Sequence, residues 1–170
     1  WYSGCGIYRH VWLTKTAKTH VAHWGVQVIT SPPKLGGARG GLNKGKWLVG
    51  IEVELEAVQT IPPTGTPPDS GGEKVTIKNS LIAPNGQIVG RSKGAKSTIT
   101  VNNPLLWSCE QPNVYTLLTE VVQGGKVIDT YQTTTGFRSF RFDAKTGFWL
   151  NGKNFKLNGV CEHHDFGCLG

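Results

Sequence analysis

Near the end of the sequence, reactive side chains stand in a row: Cys161, Glu162, His163, His164 and Asp165, with Cys168 close behind. A packed core has no use for that set, and a surface loop rarely carries it. Cys161-x-His163-His164-x3-Cys168 holds possible metal ligands. Its spacing matches none of the usual zinc arrangements, which set a pair of cysteines or a pair of histidines a few residues apart. On an extended chain the side chains of His163 and His164 also point to opposite sides. A Cys–His nucleophile needs a third group to orient the base and donors for an oxyanion, and neither is visible. No metal, no cofactor and no catalytic residue is therefore expected here. The row reads as the start of a functional rim.

A second constellation lies upstream. Glu52, Glu54 and Glu56 alternate along one segment, and residues two apart on a strand face sit about 7 Å from each other. That separation suits a pair of carboxylates cleaving a glycosidic bond. Three like charges with nothing to bury one of them are expected instead to form a solvated face.

The element that must position the terminal row is a hairpin. Phe148 and Leu150 lead into Asn151-Gly152, a strong two-residue turn signal, and Phe155-Lys156-Leu157 returns. Leu157 to Val160 then reads as a short buried strand whose C-terminal end carries the row. The sequence runs only to Gly170 and opens on Trp1, so it is expected to be a piece of something larger.

The body upstream reads as strands separated by turn signals, with no helix-period segment. His20–Thr30 would set Val21, His23, Gly25 and Gln27 on one face and Ala22, Trp24, Val26 and Val28 on the other. Trp47–Ala57 has the cleanest alternation, with Trp47, Val49, Ile51, Val53, Leu55 and Ala57 facing a core. Further strands are expected at Val75–Leu81, Gln87–Val89 and Ser97–Val101, with a hairpin-like turn over Arg91–Lys96. Val114–Val122 and Lys126–Tyr131 should pair over Gly124-Gly125, with Thr135–Phe142 as the exit strand and Trp107 plugging the bottom. Residues 31–46 and 60–72 are too rich in glycine and proline to pair. The expected fold is all-β: an immunoglobulin-like antiparallel β-sandwich over residues 16–137. Residues 1–15, including a strand at Ile7–Leu13, and 138–170 would be partial strands of neighbouring domains.

The net charge is +7, but the basic residues are dispersed and no aromatic residues interleave with them, which argues against a nucleic-acid partner. No apolar run is long enough for a membrane span. The four cysteines lie far apart and are expected to be free, buried thiols. Nothing in the sequence fixes a compartment.

Several segments resemble, in matching order, the glycoside hydrolase family 2 enzymes. Trp1-Tyr-Ser-Gly-Cys-Gly-Ile7-Tyr8-Arg9-His-Val11 resembles the end of their sugar-binding jelly roll. Asn103-Pro-Leu-Leu-Trp107-Ser followed by Gln111-Pro-Asn-Val-Tyr115 resembles their immunoglobulin-like second domain. Gly136-Phe137-Arg138, Gly147-Phe-x-Leu-Asn151-Gly152-Lys and Leu157-x-Gly159-Val160-x-x-His163-His164-Asp165-x-Gly167 resemble the entry to their (β/α)8 barrel. The wording looks most like β-galactosidases, with β-mannosidases and β-glucuronidases as alternatives.

The resemblance implies a retaining parent enzyme whose two glutamates lie on later barrel strands, so that this chain alone is not catalytic. It implies that His163, at the end of the first barrel strand, hydrogen-bonds a sugar hydroxyl, with Asp165 and His164 as weaker substrate-binding candidates. Glu162 matches no catalytic position. The implied partners are a carbohydrate, reached through the barrel, and the flanking domains. A free carbohydrate-binding module of the same fold is the other reading; it needs exposed stacking aromatics, whereas alternation turns Trp24 and Trp47 inward. Apolar strands left uncovered at both ends would favour homo-oligomers.

Overall fold

The computed structural model describes residues 10–32, 45–57 and 74–160. Strands β1 (Thr19–Ser31), β2 (Lys46–Ala57) and β5 (Lys96–Asn102) form one antiparallel sheet with β2 in the middle. Strands β3 (Thr76–Ile82), β4 (Ile88–Lys93), β6 (Tyr115–Gln123) and β7 (Lys126–Thr135) form a second, in the order β4-β3-β6-β7. The chain changes sheet after β2, after β4 and after β5, which makes an antiparallel sandwich of immunoglobulin type. A third, smaller sheet follows: β8 (Phe140–Asp143), β9 (Gly147–Leu150) and β10 (Lys153–Asn154). No helix among the described residues is long and apolar enough to cross a membrane.

The alternation of β2 places Trp47, Val49, Ile51 and Val53 in the core and leaves Glu52, Glu54 and Glu56 exposed, as expected. From the opposite sheet Ile77, Leu81, Tyr115, Leu117 and Val121 meet them. Burying each such side chain stabilises the fold by about 1.5–3 kcal/mol. The Gly124-Gly125 turn joins β6 to β7 with φ of 56° and 76°, the doubly positive pair that a tight hairpin needs.

Among the described residues, the sandwich core holds a polar network centred on Asn79. The Thr119 hydroxyl donates to Asn79 Oδ1 at 2.9 Å, and the Asn79 amide reaches Ser97 Oγ at 3.3 Å and the Gly94 carbonyl at 3.4 Å. Ser97 in turn bonds Ser92 at 2.8 Å. This network ties four strands together where the chain crosses between sheets, and it corrects the reading of Arg91–Lys96 as a hairpin turn. Arg91 to Lys93 lie in β4, Lys96 begins β5, and Gly94 at φ 100° bonds back to the Ile77 carbonyl. The segment hands the chain from one sheet to the other.

The base of the sandwich also differs from expectation. Phe137, fully buried, packs edge-on against Trp47 at 5.6 Å and Tyr115 at 4.7 Å between ring centres. Trp107 is only half-buried, so it is not the plug. Phe137 breaks the expected exit strand for the same reason. β7 stops at Thr135, the chain dives to bury one ring, and β8 starts at Phe140.

At the start of β6, the Tyr115 hydroxyl accepts a hydrogen bond from the Leu105 backbone N–H at 2.9 Å, the tyrosine corner of immunoglobulin-like sandwiches. Burial raises the pKa of this phenol. Tyr115→Phe keeps the ring and removes only that acceptor. The expected loss of stability is about 1–2 kcal/mol, read as a lower urea midpoint with an unchanged slope.

Other expectations are corrected. Val11, Trp12 and Leu13 are exposed and carry no strand. Leu157 to Val160 is neither strand nor buried, Val160 being 94% exposed, because a strand needs a ladder partner and no described residue supplies one. Cys109 is a free thiol, but an exposed one. The other cysteines, most of residues 31–46 and all of 60–72 lie outside the described residues.

Candidate functional site

His163, His164 and Asp165 lie outside the described residues, as does the whole Cys161 to Cys168 stretch. The hairpin that precedes them in the sequence is described. The Asn151-Gly152 turn forms as expected, with φ of 51° and 78°, and Leu150 pairs with Lys153 across it. Asn151 does more than turn the chain. Its backbone N–H donates to the Ser139 carbonyl at 2.8 Å, its Oδ1 accepts from the Ser139 N–H at 3.0 Å, and its Nδ2 donates to the Trp107 carbonyl at 2.9 Å. Trp107 N–H in turn donates to the Phe137 carbonyl at 2.8 Å. One nearly buried amide thus locks the hairpin onto the linker and the sandwich base.

The two faces of the small sheet differ. Phe140, Phe142 and Phe148 share one face, with Phe142 and Phe148 5.1 Å apart and Phe155 6.3 Å from Phe148. Phe140 and Phe142 are 60% and 71% exposed, leaving an apolar surface open. On the other face the Arg141 guanidinium lies 4.1 Å over the Trp149 ring, a cation–π contact. Asp143 holds the β8–β9 turn by accepting from the Thr146 hydroxyl and backbone N–H, both at 2.8 Å, and from the Lys145 N–H at 3.0 Å. The Thr146 hydroxyl, ahead of the two backbone donors, keeps this carboxyl below the ordinary carboxylate range.

The three glutamates of β2 form the solvated face expected of them. Glu52 meets Lys96 at 3.1 Å and Glu56 faces His20 at 3.5 Å, with all three carboxylates exposed. Among the described residues no group of three or more His, Cys, Asp or Glu side chains is placed to hold a metal ion.

Trp24 departs most from its expected position. Val21 pairs with Leu55, yet the next pair is Val26 with Val53, so residues 22–25 face Glu54 alone. This bulge reverses the alternation. Trp24 takes φ 60° and stands 82% exposed with His23 edge-on at 5.3 Å, while Ala22 turns inward with Val21. Gly25 was the available signal, since a glycine inside a strand pattern marks a bulge. Trp47, the other tryptophan expected inside, is fully buried.

The family model of the glycosyl hydrolases family 2 matches residues 51–138, from the middle of β2 to just past Phe137. The chain belongs to glycosyl hydrolases family 2. Over its whole length it is 39% identical to the β-galactosidase BoGH2A of Bacteroides ovatus, of which it spans 19%. Over 54% of its length it is 38% identical to a β-glucuronidase of Formosa agariphila, of which it spans 9%. A solved family 2 member from Bacteroides cellulosilyticus superposes with a TM-score of 0.75 at 31% identity, covering 97% of this chain and 20% of that one. The chain is thus similar to about a fifth of much longer family 2 enzymes.

Proposed function

We propose that the chain is the non-catalytic bracket of a retaining family 2 β-glycosidase, most similar in its motifs to β-galactosidases. Residues 1–15 end a sugar-binding jelly roll, residues 16–137 are the spacer sandwich, and residues 138–170 lead into a catalytic barrel. Two glutamates elsewhere in the whole enzyme perform the double displacement, one as acid and base and one as nucleophile. In this reading residues 157–160 become the first barrel strand only when the rest of the barrel supplies their ladder partner. His163, supported by His164 and Asp165, then bonds a sugar hydroxyl at that strand's C-terminal end. The open face of Phe140 and Phe142 is covered by the barrel entry.

The observation that supports this reading is the Asn151 clamp, which fixes the β9–β10 turn to Ser139 and to Trp107 at the sandwich base. In this reading the clamp sets where the following segment with His163 enters the barrel. Asn151→Ala in the whole enzyme removes both side-chain bonds and strains a left-handed backbone. It should lower kcat by about tenfold or more through misplacement of the site. Asn151→Gly, which tolerates that backbone but lacks the amide, should lose most of the same activity. Wild-type kcat in both variants, measured on an aryl β-galactoside, would remove the bracket role.

β-Glucuronidase activity is the second reading, favoured by the name of the Formosa relative. Parallel assays on aryl β-galactoside and aryl β-glucuronide separate the two.

A further inference from the structure

The outer face of the β1-β2-β5 sheet carries a trough lined by residues that take no part in the Asn151 clamp. Outward residues cross it in register: Ser31–Leu48–Thr100, Ile29–Gly50–Thr98 and Gln27–Glu52–Lys96. The middle row has no side chain at its centre, so Gly50 forms a low floor between Ile29 and Thr98. Beyond Gln27 the bulge raises Trp24 at one end. Two hollows of about 390 and 530 Å³ run along this face and share Gln27, Glu52 and Lys96.

The fold requires neither the low floor nor the raised ring. A Cβ at Gly50 would meet only the Ile29 carbonyl oxygen at 3.7 Å, an ordinary contact. Trp24 sits at a φ that is unfavourable for a bulky aromatic residue. The bulge that holds it depends on Gly25, where a Cβ would come within 2.8 Å of Ala22 Cβ and of the Ala22 and Glu54 carbonyl oxygens. A strained backbone that holds a large ring in water contributes nothing to the core. Such outliers cluster where a ligand is held.

We infer that this trough binds a linear, uncharged saccharide, with one pyranose ring on the indole of Trp24 and its neighbours' hydroxyls on Gln27, Glu52, Lys96 and Thr98. The indole face is electron-rich and accepts the C–H face of a sugar ring. Sugar hydroxyls both donate and accept, so they match a row of amide, carboxylate, ammonium and hydroxyl groups. The Glu52–Lys96 pair at 3.1 Å balances its own charge, and Glu54 in the same hollow leaves the face net negative, which disfavours an anionic sugar and fits a neutral one. The pair also counts against a protein partner, because Lys and Glu are depleted from interface centres. Trp24 is thus an exposed aromatic able to stack on a sugar, because the register shift in β1 turns outward a ring that simple alternation places inside.

The test is fluorine NMR of the full chain labelled with fluorotryptophan, titrated with cellotetraose, galactotetraose and mannotetraose. Of the six tryptophan signals, the one lost in Trp24→Phe should move with at least one sugar, with Kd about 1 mM. Trp24→Ala should weaken binding about tenfold or more, as followed by calorimetry. Gly50→Val should abolish binding by filling the floor while raising Tm, because glycine weakens a strand interior. Opposite signs on stability and binding exclude a folding artefact. The inference is overturned if no tetrasaccharide moves the Trp24 signal at about 20 mM, or if Trp24→Ala and Gly50→Val bind as the wild type does. It is equally overturned if the signal moves with protein concentration and not with sugar, which would assign the face to a second copy of this chain.

Discussion

Phe137→Ala is expected to cost the sandwich about 3–5 kcal/mol, the range for deleting a fully buried aromatic ring. The ring fills the base between Trp47 and Tyr115, both of which meet it edge-on. Its backbone is fixed from two directions: the Trp107 N–H bonds its carbonyl, and the Thr30 hydroxyl bonds the preceding Gly136 carbonyl at 3.0 Å. With the backbone held, the sheets cannot collapse into the space, so the cavity term is added to the transfer term. A loss of that size is a large part of the usual stability of a domain. Urea denaturation followed by tryptophan fluorescence should show a much lower midpoint, and Phe137→Leu a smaller shift. A loss below about 1 kcal/mol for alanine would mean that another side chain plugs the base.

His163→Ala, made in the whole enzyme, carries the largest expected effect on activity. A hydrogen bond to a sugar hydroxyl that strengthens in the transition state supplies several kcal/mol in glycoside hydrolysis. Its loss should lower kcat/KM by about a hundredfold or more, with kcat falling further than KM rises. His163→Asn, which can still reach a hydroxyl, should recover part of the rate. His164→Ala and Asp165→Ala should cost less, since they support the loop in this reading. Equal effects of all three on Tm, with no selective loss of kcat at His163, would reduce the row to a structural role.

The parts of this fold legible in the sequence are those governed by local rules. The β2 alternation from Trp47 to Val53, the Gly124-Gly125 and Asn151-Gly152 turns and the exposed glutamates follow from period and turn chemistry, and the structure keeps them. The misses each involve a partner far away in sequence. Trp24 is turned outward by a mismatch in pairing with β2, and alternation within β1 cannot register that. Asn79 is polar on an inward face because Thr119, Ser97 and Gly94 meet it there. Phe137 lies in a segment that reads as continuous strand, yet its ring is needed beneath the other sheet. Asn151 was visible as a turn residue, while its bonds to Ser139 and Trp107 were not. The family was legible through motifs at both ends and in the middle, where the family model matches residues 51–138, although the histidine row itself lies outside the described residues.

The central claim is that the folded body supports chemistry performed elsewhere in a family 2 enzyme. The most direct test is hydrolysis of aryl β-galactoside and aryl β-glucuronide by the purified 170-residue chain beside the whole enzyme, at equal molarity. The account predicts turnover by the whole enzyme on one of the two substrates and none above background by the chain alone. Hydrolysis by the chain alone at the rate of the whole enzyme would contradict it.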